Sequence, residues 1–143
     1  MKDRRMKKKT VLFVCVGNSG RSLMAEAFFE QVSKEWSAAS AGIKPDEKIH
    51  PWTVELMKEI GINMSQRRPR LLSSEMLKEA DRIVAMDSDV LKQIPPECLS
   101  KTENWNISPL PGKRIEEVRQ IRDAIRKKVQ QLLTETETSR NSF

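Results

Sequence analysis

Cys15 closes a short apolar run and stands ahead of Arg21, with Val16, Gly17, Asn18, Ser19 and Gly20 between them and Ser22 directly after. A cysteine and an arginine at this spacing are common by chance. They become chemically specific when a strand precedes them, a helix starts at the arginine, and glycines let the backbone between them curl. The N–H groups of residues 16–22 can then form a nest for a tetrahedral oxyanion, reinforced by the positive end of the following helix. Arg21 can add a bidentate fork to two of the anion's oxygens. The same positive field favours a thiolate at Cys15, which makes it a nucleophile aligned beneath a bound phosphate-like group. Ser22 is suited to donate its hydroxyl to that sulfur, and Asn18, tolerant of left-handed backbone, is suited to brace the loop with its amide. A strand-end cysteine above an ordinary tight turn does not account for Arg21 and Ser22 standing together at a helix start.

The elements that must position this loop are readable in the flanking sequence. Residues 11–16 (Val-Leu-Phe-Val-Cys-Val) are apolar on both faces, as in a central strand of a parallel sheet covered by helices on each side. Leu23, Met24, Ala27, Phe28, Gln31 and Val32 follow at helical spacing, which predicts one face packed on that sheet. Residues 37–42 read as a second strand, and Pro51 opens a helix over 52–60 that Gly61 closes. Residues 82–86 read as a third strand, with short helices over 74–78 before it and 89–93 after it, the latter stopped by Pro95-Pro96. Ile115, Val118, Ile121, Ile125, Val129 and Leu132 define a long final helix, with Glu116 and Glu117 in its first turn. Strands alternating with helices predict a single three-layer α/β/α domain over residues 1–143 with a parallel sheet of about four strands. A basic arm over 1–9 and a frayed polar tail over 134–143 are expected at its ends. Ligands of such sheets bind at the carboxyl ends of the strands, where Cys15 stands.

Composition narrows the class. A chain of 143 residues can bury a core without disulfide staples, and its two cysteines, Cys15 and Cys98, cannot form a disulfide framework. With no apolar run long enough to span a bilayer and no signal-peptide pattern after the basic start, a cytoplasmic protein without membrane partners is expected. The net charge of +6 does not imply nucleic-acid binding. Lys7-Lys8-Lys9, Arg67-Arg68-Pro69-Arg70 and Arg126-Lys127-Lys128 are scattered among 20 acidic residues with no Tyr between them. They read as a solvated surface that attracts anions. No Cys/His/carboxylate spacing suggests a metal and no Walker loop is present, so neither metal nor cofactor is expected. His50, the only histidine, reads as a turn residue before Pro51 rather than a partner for Cys15. Trp36, Trp52 and Trp105 read as packing residues, Trp105 being the one nearest a site-closing loop.

The run Val-Leu-Phe-Val-Cys-Val-Gly-Asn-Ser-Gly-Arg-Ser, followed by Met-Ala-Glu-Ala, resembles the low-molecular-weight protein-tyrosine phosphatases and their relatives, the thioredoxin-coupled arsenate reductases. Ser40-Ala-Gly-Ile-Lys-Pro45, His50-Pro51 and Met57-Lys-Glu-Ile-Gly-Ile62 are similar to the reductase branch, and the likeness runs from about Val11 to about Leu133. The resemblance implies a four-stranded parallel sheet, with Cys15 attacking phosphate or arsenate while Arg21 and the loop amides hold the oxygens.

Three departures bear on the reaction. Where the phosphatases carry an Asp-Pro pair whose Asp is the general acid, this chain has Ser108-Pro109; Asp87, Asp89 or Glu103 are the candidate substitutes. Where the reductases continue with a cysteine relay after the third strand, this chain reads Met86-Asp87-Ser88, leaving Cys98 or an external thiol such as thioredoxin to resolve an adduct. Gly20 fills the position before Arg21, often a second cysteine in the family, so no adjacent disulfide can shelter Cys15. Three functions remain open. The first is a phosphomonoesterase acting on phosphotyrosine-like aryl phosphates through a cysteinyl-phosphate, since aryl leaving groups need little protonation. The others are a thiol-coupled arsenate reductase and an oxyanion-binding module without turnover.

Overall fold

The structure, a computed structural model, describes residues 8–110 and 112–140, with the side chains of 138–140 excepted. Four parallel strands, β1 (Lys9–Cys15), β2 (Trp36–Gly42), β3 (Arg82–Ala85) and β4 (Thr102–Asn104), form one sheet in the order β2-β1-β3-β4. The alternation of side chains along β1 divides the core in two. Val11, Phe13 and Cys15 face a cluster built with α1 (Arg21–Val32), α2 (Pro51–Lys58) and α5 (Ile115–Arg140). Leu12 and Val14 face a second cluster built with α3 (Ser74–Glu79), α4 (Ser88–Leu91) and the 3₁₀ turn Pro96–Lys101. The expected α/β/α layering and four-stranded parallel sheet are therefore present.

Several boundaries differ from the sequence reading. Gln31 and Val32, expected to face the sheet, are exposed, whereas every residue from Arg21 to Phe29 is buried. The start of α1 is enclosed on more than one side, by β1, β2 and α5, and its last turn projects past them. The tail expected to fray from Thr134 instead continues α5 to Arg140. Leu133 and Thr136 are buried there, and Glu135 reaches Arg82 at 2.9 Å. Lys9, placed in the basic arm, is the first residue of β1. Residues 1–7 of that arm and 141–143 of the tail lie outside the described residues.

A small ion-pair network ties α2 to α5. Arg119 Nη2 donates to Glu59 Oε2 at 2.6 Å, Arg122 Nη1 to Glu59 Oε1 at 2.8 Å, and Arg122 Nη1 also to the Leu56 carbonyl at 2.8 Å. The hydrogen bonds from Arg119 and then Arg122 lower the Glu59 carboxyl from 4.5 to about 2. A carboxyl whose folded value lies below its unfolded one contributes stability above the unfolded value and loses it as pH falls toward the folded one. Glu59→Gln should therefore lower the thermal midpoint at pH 7. The gap to wild type should narrow as pH falls from about 4.5 toward 2. Paired thermal melts across that range check it, and a gap that stays constant would contradict it.

Candidate active site

Cys15 ends β1 at the carboxyl edge of the sheet, and the chain turns at once through residues 16–20 into α1. The backbone of that turn is fixed from outside. The carbonyls of Cys15, Val16, Gly17 and Ser19 accept from the N–H groups of Ile43, Lys44, Asp46 and His50, in the connection after β2. The Ser19 carbonyl also takes the Thr53 hydroxyl at 2.8 Å. With the carbonyls turned outward, the loop's amides are available on its inner side. Among the described residues, nothing in the protein accepts from the N–H of Gly17, Ser19 or Gly20. Asn18 sits at φ 49°, the left-handed conformation its short side chain tolerates. Gly42 lets β2 approach, since a Cβ there would come within 2.7 Å of the Val16 carbonyl.

Around Cys15 the hydrogen bonds form a chain. Its sulfur lies 2.9 Å from Ser22 Oγ and accepts the Asn18 N–H at 3.2 Å. Asn18 Nδ2 donates to Ser22 Oγ at 2.7 Å and to Ser40 Oγ at 3.0 Å, and Ser40 donates to Glu26 Oε1 at 2.6 Å. Burial pushes the Glu26 carboxyl above its ordinary 4.5, and the Ser40 hydroxyl only partly offsets that. The Asn18 side chain is held from both sides, because the Arg70 N–H donates to its Oδ1 at 2.8 Å.

Arg21 is 5% exposed. Its Nη1 donates to Asp87 Oδ2 at 2.8 Å and to the Ile107 carbonyl at 2.7 Å. Asp87 follows β3 and caps α4 by accepting the Val90 N–H at 2.9 Å. Burial opposes its charge, but the Val90 N–H and the Arg21 guanidinium outweigh it and hold the carboxyl below its ordinary 3.8. Asp87 is therefore an anchor for Arg21 and a poor proton donor near neutral pH.

These groups open on a cleft of about 310 Å³ whose walls include the loop, Asp46, His50, Asp87, Asp89, Pro109 and Leu110. Ser108, at the position of the missing acid, is exposed and does not line it. Glu103 is engaged elsewhere, with Arg82 and the Trp105 indole N–H, each at 2.9 Å. Of the three candidate acids Asp89 remains, lining the cleft as Asp46 also does, with its side chain 85% exposed. Trp105 packs on Phe13 at 5.7 Å between ring centres and is a core residue, with no place on the rim.

The structure does not bring Cys98 to the site. It is buried in the 3₁₀ turn before β4, in the cluster beneath the opposite face of the sheet from Cys15. Because the strands are parallel, that turn lies at the amino end and Cys15 at the carboxyl end. A resolving role for Cys98 is incompatible with this arrangement. Two site residues escaped the sequence reading. Asp46, which accepts from Ser19 Oγ at 2.5 Å, could have been found from its place just past β2, beside the loop. Glu26 was marked by a charge set between Ala25 and Ala27 on a helix face otherwise read as apolar. His50 is the helix-start residue expected, accepting the Trp52 N–H on Nδ1 at 3.1 Å, but it also lines the cleft. Among the described residues no cluster of His, Cys, Asp or Glu could hold a metal ion, and no helix is long and apolar enough to cross a membrane.

A parallel α/β sheet with a loop from a cysteine to an arginine between its first strand and first helix, opening on a cleft, is the arrangement of an α/β enzyme with its site at the carboxyl edge of the sheet. Residues 10–142 match the low molecular weight phosphotyrosine protein phosphatase pattern, and the chain belongs to that family. It is 36% identical over 130 residues to arsenate reductase 2 of Staphylococcus saprophyticus, covering 88% of this chain and 97% of that one. The low molecular weight protein tyrosine phosphatase of T. tengcongensis superposes with a TM-score of 0.79 at 28% identity, covering 90% of this chain and 99% of the other. The thioredoxin-dependent arsenate reductase Cg_ArsC1' of Corynebacterium glutamicum gives 0.79 at 26% identity, over 92% of this chain and 63% of that one. Relatives on both sides are enzymes, phosphatases and arsenate reductases alike.

Proposed function

We propose that this chain is a cytoplasmic phosphomonoesterase that works through a cysteinyl-phosphate at Cys15 and needs no cofactor. The observation that carries this reading is the pair of contacts on the sulfur, the Asn18 N–H donating at 3.2 Å and the Ser22 hydroxyl 2.9 Å away, beneath a cleft walled by the loop. Both position the sulfur, which as a thiolate is the nucleophile. That thiolate attacks phosphorus, the bond from phosphorus to the ester oxygen breaks, and the leaving oxygen takes a proton from Asp89 or solvent. Water then attacks phosphorus, the sulfur–phosphorus bond breaks, and the Ser22 hydroxyl donates to the departing sulfur as inorganic phosphate is released. Arg21 and the loop amides hold the phosphoryl oxygens through both steps.

Among the described residues the cleft walls carry Asp46, Asp87 and Asp89 and no Phe, Tyr or Trp ring, the His50 imidazole being the ring that lines them. A preference for aryl phosphates would therefore rest on their leaving groups more than on ring stacking. Asp89→Asn should slow alkyl phosphate hydrolysis by about 10²-fold and p-nitrophenyl phosphate hydrolysis far less. Rates on the two substrates compared side by side test it, and equal losses would remove Asp89 from the proton path.

The 36% identity to an arsenate reductase along nearly its whole length favours one second reading, arsenate reduction. Cys15 would displace water from arsenate. An external thiol, thioredoxin or a small thiol, would then attack the Cys15 sulfur, the electron pair of the sulfur–arsenic bond would stay on arsenic as arsenite, and the resulting disulfide would be reduced by a further thiol. Cys98 takes no part, so Cys98→Ser should leave both activities unchanged within about twofold. Loss of thiol-dependent arsenate turnover in a folded Cys98→Ser protein would overturn that.

A further inference from the structure

Behind the active-site loop, on the far side of Asn18, lies a second cleft of about 490 Å³ whose walls include Leu23, Glu26, Arg67, Arg68 and Arg70. Arg67 is already neutralised, 2.7 Å from Glu30 and 3.5 Å from Glu26. Arg68 and Arg70 are exposed, and among the described residues neither has a carboxylate within ion-pair distance. Pro69 between them restricts the backbone that carries both. Two guanidiniums outside any ion pair among the described residues, Arg70 acting on Glu26 only at longer range, suit a ligand that offers several oxygens and two negative charges, a geometry the guanidinium fork matches better than an ammonium would.

The cleft is wired to Cys15 at two points. The Arg70 N–H holds Asn18 Oδ1, and Glu26 holds Asn18 Nδ2 through Ser40. Asn18 in turn donates to the Cys15 sulfur through its N–H and to Ser22 through its amide. We propose that this cleft binds a small dianionic oxyanion, phosphate or a phosphate monoester, on Arg68 and Arg70, and that its occupancy is relayed to the Cys15 loop through Asn18. This inference does not depend on which reaction Cys15 performs.

Amide NMR of the full chain, titrated with inorganic phosphate and separately with glycerol phosphate, reads both clefts at once. Two sets of shifts are expected, one over residues 16–22 and one over 66–70, saturating independently. The side-chain amide of Asn18 should move with the second set as well as the first. In the Arg68→Ala, Arg70→Ala double variant, whose exposed substitutions spare the core, the second set should weaken by about tenfold or more while the first is kept. The double Lys variant should recover part of it. Saturation by phosphate alone would identify the free anion as the ligand, and tighter saturation by glycerol phosphate would identify an ester. Shifts confined to 16–22, or a response at 66–70 unchanged in the double variant, would overturn the site. A second set that leaves Asn18 unmoved would overturn the relay.

Discussion

Replacing Cys15 with serine is expected to lower kcat for p-nitrophenyl phosphate by about 10⁵-fold or more while phosphate binding survives. A serine hydroxyl at this position would still accept the Asn18 N–H and pair with Ser22, so the loop keeps its bracing. What it loses is the nucleophile: a hydroxyl is protonated at neutral pH, and among the described residues no carboxylate or imidazole is hydrogen-bonded to this position to remove the proton. Among the described residues the partners of the Cys15 side chain are Asn18, whose N–H donates to it, and Ser22, whose Oγ already accepts from Asn18 Nδ2. Steady-state rates, together with phosphate titration of the variant by calorimetry, check both halves. Residual activity near wild type would mean that Cys15 is not the nucleophile.

Arg21→Ala is the second large effect, a fall of about 10²–10³-fold in kcat/KM with most of the loss in kcat. The guanidinium is buried, and its Nη1 is held by Asp87 and by the Ile107 carbonyl, so its remaining N–H groups are set in a fixed direction before any substrate arrives. Preorganised donors of this kind stabilise the charge that develops in transfer and need no rearrangement at that moment. Arg21→Lys keeps the charge and loses the fork, and should recover only part of the activity. Truncation also leaves Asp87 with one partner fewer, so thermal unfolding of each variant separates a local catalytic loss from unfolding. Similar kcat/KM in folded Arg21→Ala and wild type would remove Arg21 from the mechanism.

The loop was legible because everything that defines it is local. An apolar run, two glycines, an arginine and a helix pattern follow one another within residues 11–32, and their order alone implies a nest at a strand's carboxyl end. What clamps the loop was not legible, because it arrives from far along the chain. Asp87 and Ile107 reach Arg21 only because β3 pairs beside β1 and the segment after β4 runs along the end of β3. β4 itself has three residues, Thr-Glu-Asn, too few and too polar to show a period. Trp105 and Glu103 changed meaning for the same reason: packing on Phe13 and pairing with Arg82 are properties of the sheet order, which no local pattern encodes. The end of α5 was misread on polarity. Thr134, Glu135, Thr136 and Glu137 suggest a tail, yet Thr136 is buried and Glu135 pairs with Arg82 across the fold, so tertiary contacts extend a helix whose sequence looks solvated. Cys98 shows the opposite error. Counting thiols made it a candidate partner for Cys15, and the assignment of alternate β1 residues to opposite faces, with the parallel order that puts Cys98 at the other end of the sheet, separates them.

The most direct test of the cysteinyl-phosphate is the intact mass of the chain, acid-quenched within the first turnovers of p-nitrophenyl phosphate, with the modified residue located by peptide mapping. A chain heavier by one phosphoryl group, carried on Cys15 and absent from Cys15→Ser, is the predicted result. Hydrolysis that proceeds with no adduct at Cys15, or with an adduct on another residue, would contradict it.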